Sequence, residues 1–280
     1  MAAGLEPLGA GKPLETSGQQ ESGVGKVHLL GVPIDPLTLQ EVLARVDEVI
    51  ERRSRLHIGV VNAAKLVNMR RDPVLRQDVL ASDLILADGA SVVWASRLMG
   101  NPLPERVAGI DLMLAMLRRG ASRGHRFYCL GATQDVLDRA VDRMLAEFPG
   151  VQVVGRRNGY FGAGEEEEVA RDIAGARPDV LFVAMTSPRK EHFLGRWSPH
   201  MQVPVCHGVG GSFDVVAGKV RRAPVAWQRL GLEWLYRVRQ EPRRLWKRYL
   251  VTNTAFSAMV LSEWLGSLWH ADPRGPKRRR

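Results

Sequence analysis

Short, almost wholly apolar runs alternate with amphipathic helical patterns along this chain, and that alternation narrows the fold more than any other feature. The runs fall at residues 27–32, 57–61, 84–87, 126–130, 151–154, 180–184 and 203–206. They lack the polar alternation of a half-exposed strand and read as strands buried on both faces. Between them lie helical patterns, such as residues 39–52, where Leu39, Val42, Leu43, Val46 and Ile50 share one face. Further helices are expected from Ala63, over 73–81, 90–99, 109–119, 133–148, 165–174 and 188–197. Strand and helix in turn predict an α/β fold, a Rossmann-like, mostly parallel sheet with helices on both faces.

Residues 1–25 are rich in Gly, Ser, Gln and Glu without apolar periodicity and read as a disordered tail. Residues 26–224 are expected to form the α/β domain. The composition then changes. Residues 225–270 read as a helical basic appendage, with helices over 227–239 and from Pro242, and 271–280 as a basic tail. Residues 250–269 are mostly apolar but hold Asn253, Ser257, Ser262 and Glu263, which is too polar for a spanning helix. Tryptophans and flanking arginines suit a helix lying in a membrane interface. The alternative is an amphipathic helix packed on the domain or on a second subunit.

The net charge of +10 implies a polyanionic partner: nucleic acid, anionic lipid or a phosphorylated substrate. Cys129 and Cys206 sit inside apolar runs and read as buried thiols. No CxxC or His/Cys cluster suggests a structural zinc. Without a signal peptide before Lys26, a cytoplasmic location is expected.

Ligands of open α/β sheets bind at the carboxyl ends of the strands. Asp88 stands at such an end, followed by Gly89 and a helix. It reads either as the N-cap of the helix over 90–99 or as a group that works on a substrate. Glycines follow three other strands, at Gly131, Gly155 and Gly208-Val209-Gly210-Gly211. Each is a tight turn in isolation. Together on one sheet edge they point to a nucleotide-diphosphate site, since glycine lets backbone N–H groups approach phosphate. Tyr160 and Phe161 could stack on a base or sugar, or pack a loop on the core. Arg189, Lys190 and Glu191 open a helix and suit a phosphate or sugar, or form a solvated first turn. Asp214 could hold a ligand hydroxyl, and Arg221 and Arg222 could pair with phosphate or form structural salt bridges. Asp83 and Asp88 bracket one strand and face opposite ways, so a metal-bridged diphosphate gains little support.

The order of these pieces resembles the WecG/TagA/CpsF family of bacterial glycosyltransferases, over about residues 27–248. The matching residues are Asn62; Ala87-Asp88-Gly89; Pro104-Glu105-Arg106-Val107-Ala108-Gly109; Leu130-Gly131; Gly159-Tyr160-Phe161; Ser187-Pro188-Arg189-Lys190-Glu191; the run from Gly208 to Asp214; Arg222-Ala223-Pro224; Leu232-Glu233-Trp234-Leu235-Tyr236-Arg237; and Glu241-Pro242-Arg243-Arg244. The resemblance implies inverting transfer of a sugar from a UDP-sugar to a polyprenyl-pyrophosphoryl sugar at the cytoplasmic membrane face, without a bound metal or other cofactor. The products of such transfer are teichoic acid linkers, capsule or exopolysaccharide.

By the same resemblance Asp88 is the base. Asn62, Arg106, Gly109, Gly131, Tyr160, Phe161, Lys190, Glu191, Gly210, Asp214, Arg221, Arg222, Arg237, Arg243 and Arg244 are substrate-binding positions, and the basic appendage closes over the site and meets an anionic membrane. Three departures lie near the sugar, one of them Met185-Thr186-Ser187 where the family has Gly-x-Gly. Val60 and Val61 precede Asn62 where the family has Thr or Ser, and Lys190 replaces the family's sugar-contacting Gln. The donor is thus open among N-acetylmannosamine, glucose and uronic acid. A homo-oligomer is left open. The residues alone also admit a nucleotide-dependent oxidoreductase, although no GxGxxG follows the first strand, or a basic nucleic-acid-binding protein.

Overall fold

A computed structural model describes residues 25–270, except for the side chains of Arg244 and residues 268–270. Most of the tail expected over 1–25, and the basic tail over 271–280, lie outside the described residues.

The chain opens with a hairpin, β1 (Val27–Leu29) and β2 (Val32–Ile34), where the sequence suggests one strand over 27–32. Leu30 and Gly31 both take positive φ (53° and 71°), and that two-residue reversal divides the apolar run. Then follow α1 (Leu39–Glu51), β3 (Leu56–Val61), α2 (Ala63–Arg71), α3 (Pro73–Leu80), β4 (Leu84–Ala87), α4 (Ala90–Leu98), α5 (Gly109–Arg123) and β5 (Arg126–Gly131). The second half holds α6 (Gln134–Glu147), β6 (Gln152–Arg157), α7 (Glu166–Ala176), β7 (Val180–Ala184), α8 (Arg189–Met201), β8 (Val205–Gly208) and α9 (Ser212–Val216). The last helices are α10 (Val225–Arg229), α11 (Glu233–Gln240) and α12 (Pro242–His270).

The six strands β3 to β8 form one sheet in the order β4-β3-β8-β7-β5-β6, every neighbouring pair parallel. This is the α/β architecture that the alternation predicts. On one face α1, α5, α6 and α9 bury a single continuous apolar core. On the other face the core is in two pieces. One lies under α2, α3, α4 and α12, the other under α7 and α8. The seam between them runs over β8, because α9, which follows β8, packs on the opposite face.

Several boundaries differ from expectation. β6 runs Gln152–Arg157 rather than 151–154, so Gly155 lies inside the strand with the Tyr128 ring against it and is not a turn glycine after the strand. β8 begins at Val205 rather than 203, since Pro204 has no N–H for the ladder and enters only through its carbonyl, which accepts from Leu56 N at 2.7 Å. His207 therefore lies inside a strand. The helix expected over 227–239 is broken between α10 and α11, where Gly231 takes φ +68° with Ala90 and Trp94 pressed against it. The apolar segment 250–269 is continuous with the helix from Pro242. One face of α12 buries Phe256 and Val260 in the second core, and Leu30 N donates to Glu263 Oε1 at 3.3 Å. Its other side leaves Trp246, Leu250, Val251, Leu261 and Leu265 exposed. Among the described residues no helix is long and apolar enough to cross a membrane.

Candidate active site

At the carboxyl end of β4, Asp88 N donates to Val61 O at 2.9 Å and so keeps β3 and β4 paired one residue past the strand. Asp88 does not cap α4. Gly89 occupies that N-cap, with no side-chain hydrogen bond. Instead Asp88 Oδ1 accepts from Gly109 N, the first residue of α5, at 2.9 Å. Val107 N bonds Ala87 O at 2.9 Å, which returns the loop after α4 to the strand end and delivers Gly109 there. Asn62 caps α2 by accepting from Lys65 N at 3.0 Å. Its side chain abuts Gly89, where a Cβ would approach Asn62 Cβ to 3.3 Å. Beneath them His207 is fully buried. Desolvation holds its pKa down to about 4, so its ring is neutral at pH 7. Its Nε2 lies 3.1 Å from Gly109 O, which assigns the proton to Nε2.

Lys190 and Glu191 do not form a solvated first turn. They are 7% and 5% exposed, and Lys65 of α2 is 7% exposed beside them. Lys65 Nζ and Lys190 Nζ lie 2.7 Å and 2.8 Å from the same atom, Glu191 Oε1. Burial alone would raise the Glu191 pKa, but the two ammoniums override it and hold it low. Burial and repulsion from Lys190 lower Lys65, against the pull of Glu191 and Asp88.

The turns after β5 and β6 meet. Gly131 takes φ +127° against the Ala184 backbone, and Gly159 N bonds Ala132 O at 2.9 Å. Tyr160 projects from this turn, 76% exposed, whereas Phe161 is buried in the core under the Arg189 guanidinium, 4.7 Å from its ring centroid. Of the two aromatics, Tyr160 is the one open to a ligand.

Gly210 takes φ +53° in the turn after β8 with nothing near its Cβ position. Asp214 pairs with Lys219 at 3.3 Å. Arg222 pairs with Asp111, and Arg106 with both Asp111 (3.5 Å) and Glu233. This chain of ion pairs joins α11 to the loop that carries Gly109. Arg221 is exposed, and the Gln240 side chain holds its backbone through two 2.9 Å bonds. Arg237 and Arg243 are exposed on α11 and α12, and the Arg244 side chain is outside the described residues.

Asp88, Asn62 and Gly109 thus converge in one cluster, with Lys190 and Glu191 in the first turn of α8 and Gly210 in the turn after β8, on the same sheet edge. Sequence reasoning missed Lys65, Asp111 and Glu233. The one local hint was a lysine among Ala63, Leu66, Val67 and Met69. Among the described residues no three His, Cys, Asp or Glu side chains gather so as to hold a metal ion.

Comparison with known proteins adds two findings. The model of the Glycosyl transferase WecG/TagA/CpsF family matches residues 27–269. Relatives include proteins named N-acetylglucosaminyldiphosphoundecaprenol N-acetyl-beta-D-mannosaminyltransferase. That of Bacillus spizizenii is 39% identical over 183 residues, 65% of this chain and 70% of the relative. That of Bacillus subtilis (strain 168) is 40% identical over 187 residues, 66% and 72% of the two chains. That of Staphylococcus aureus (strain MW2) is 30% identical over 232 residues, 82% and 89%.

Proposed function

Since the chain belongs to the WecG/TagA/CpsF family of glycosyltransferases, we propose that it moves a sugar, with inversion, from a UDP-sugar to a lipid-pyrophosphate-linked sugar. In this reading it serves the biosynthesis of a cell-surface polysaccharide. Family membership favours transfer over the oxidoreductase and nucleic-acid-binding alternatives. The acceptor class is supported by the names of the relatives, which act on a diphosphoundecaprenol-linked sugar.

The observation that carries the mechanism is the aim of Asp88. One carboxylate oxygen is fixed by the Gly109 N–H, and among the described residues no second hydrogen bond engages the carboxylate. Asp88 accepts the proton of the acceptor hydroxyl as that oxygen attacks the anomeric carbon. The bond from the anomeric carbon to the diphosphate oxygen breaks, and UDP departs with the electron pair. Backbone N–H groups of the glycine turns and cationic side chains such as Arg221, Arg237 and Arg243 offset the developing charge. No metal ion takes part in this reading.

The exposed Trp246, Leu250, Val251, Leu261 and Leu265, set among Arg243, Lys247 and Arg248, support a peripheral position on the inner face of an anionic membrane. The test is to incubate the protein with UDP-N-acetylmannosamine, UDP-glucose and UDP-glucuronate, each with a polyprenyl-pyrophosphoryl N-acetylglucosamine. A lipid product heavier by one sugar, released with UDP, is expected from one donor. No product from any donor, with turnover of a nicotinamide cofactor instead, overturns the reading.

A further inference from the structure

The seam that divides the second face of the core is filled with charge. Lys65 reaches it from α2 and Lys190 and Glu191 from α8, beside the buried ring of His57 from β3, which burial keeps neutral. Gly208, at the end of β8, leaves the room they occupy, since a Cβ there would stand 2.7 Å from Lys190 Cε. The helices that carry these residues begin at the carboxyl ends of β3 and β7, on either side of β8, whose own helix turns to the other face. That is the switch-point crevice where open α/β sheets take ligands.

The charges do not balance within the seam. Joining α2 to α8 requires one ion pair, and Lys65 with Glu191 supplies it. Lys190 adds a second buried ammonium on the same oxygen, while Glu191 Oε2 is buried without a partner. Burying a cation without its own counter-ion is expensive. Asp88 is the other carboxylate whose charge acts on Lys65.

We propose that Lys65 and Lys190, locked on Glu191, form a cationic seat for an anionic group of the donor, either its diphosphate or the carboxylate of a uronic acid sugar. The proposal rests on the donor being a UDP-sugar, and it assigns Lys65 a part in binding that pattern alone did not suggest. Glu191 is a positioning residue in this arrangement.

The test is calorimetric titration of wild type, Lys190→Gln, Lys65→Met and the charge-balanced Lys65→Met/Glu191→Gln pair. The ligands are UDP, uridine, UDP-glucose, UDP-glucuronate and inorganic pyrophosphate. Lys190→Gln introduces the residue that the family pattern carries, so it should fold, and melting curves check the others. A diphosphate seat predicts that UDP, UDP-glucose and pyrophosphate weaken about tenfold or more in the variants while uridine is unchanged. A uronate seat predicts the loss for UDP-glucuronate alone. Pyrophosphate is the arm independent of the donor reading, because its weakening supports the seat even if wild type ignores uridine nucleotides. Folded variants that bind every ligand as wild type does, or a wild type that binds none, overturn the proposal.

Discussion

Gly109 donates its backbone N–H to Asp88 Oδ1 at 2.9 Å across 21 positions of sequence, so the first residue of α5 sets the aim of the carboxylate at the end of β4. Proline at position 109 deletes this bond, and its Cδ, standing where the hydrogen pointed, also turns the carboxylate away. Proline is well tolerated at the first position of a helix, and Ala108 already has the extended conformation (φ −72°, ψ 137°) that a following proline requires. Gly109→Pro should therefore fold, with turnover lowered at least about tenfold, the order expected for one hydrogen bond to a charged group, because the carboxylate also loses its aim. Gly109→Ala keeps the N–H, and its Cβ would stand 3.7 Å from His207 Nε2, so it should retain most activity. Steady-state rates of the two variants side by side make the check. Equal rates would contradict the role of the N–H.

The turn after β5 depends on a missing side chain. At Gly131 a Cβ would lie 2.4 Å from Ala184 O, at a φ of +127° that L-residues rarely adopt. Gly131→Ala should destabilise the protein by about 3 kcal/mol or more, visible as a lower urea midpoint.

The two sides of α12 should separate membrane affinity from stability. Trp246→Glu and Leu250→Glu alter exposed positions and should reduce co-sedimentation with anionic vesicles while leaving the melting curve unchanged. Phe256→Ala opens the second core and should cost about 3–5 kcal/mol. Vesicle binding that survives both glutamates would contradict the membrane reading.

Stability should fall on mild acidification. Burial, helped by Arg55 near His57, holds the pKa values of His57 and His207 at about 4, below the usual value of 6.5. Between those values the unfolded chain binds protons that the folded chain refuses, so stability is lost as pH drops through that window. The loss should reach up to about 2.5 kcal/mol per histidine by pH 4.5. Urea unfolding at pH 7 and pH 4.5 measures it, and equal stabilities would contradict the buried neutral state.

Much of the fold was legible because the inner strands are buried on both faces, whereas the edge strand β6, partly exposed along its length, extends past its apolar run. β4 and β7 have the bounds that their apolar runs suggest, and Asp88 ends β4 with a charge. The hairpin at Leu30-Gly31 was not legible, because a leucine with positive φ leaves no sign in an apolar run. Of the candidate site, the strand ends were legible, and Asp88 does meet Gly109 at one of them. The site's ion pairs were not. Lys65 meets Glu191 across 126 positions and Arg106 meets Glu233 across 127, distances that no local pattern reports. A lysine three residues after a helix cap looks solvated until the facing helix is in place.

The central claim is that Asp88 is the base of a sugar transfer. Asp88→Asn keeps the size of the side chain and its bond from Gly109 but removes the charge that accepts a proton. Turnover of this variant, measured with the UDP-sugar and lipid acceptor that wild type uses and alongside UDP affinity, is the direct test. The account predicts a fall of about 10²–10⁴-fold with UDP affinity nearly unchanged. Turnover equal to wild type would contradict it.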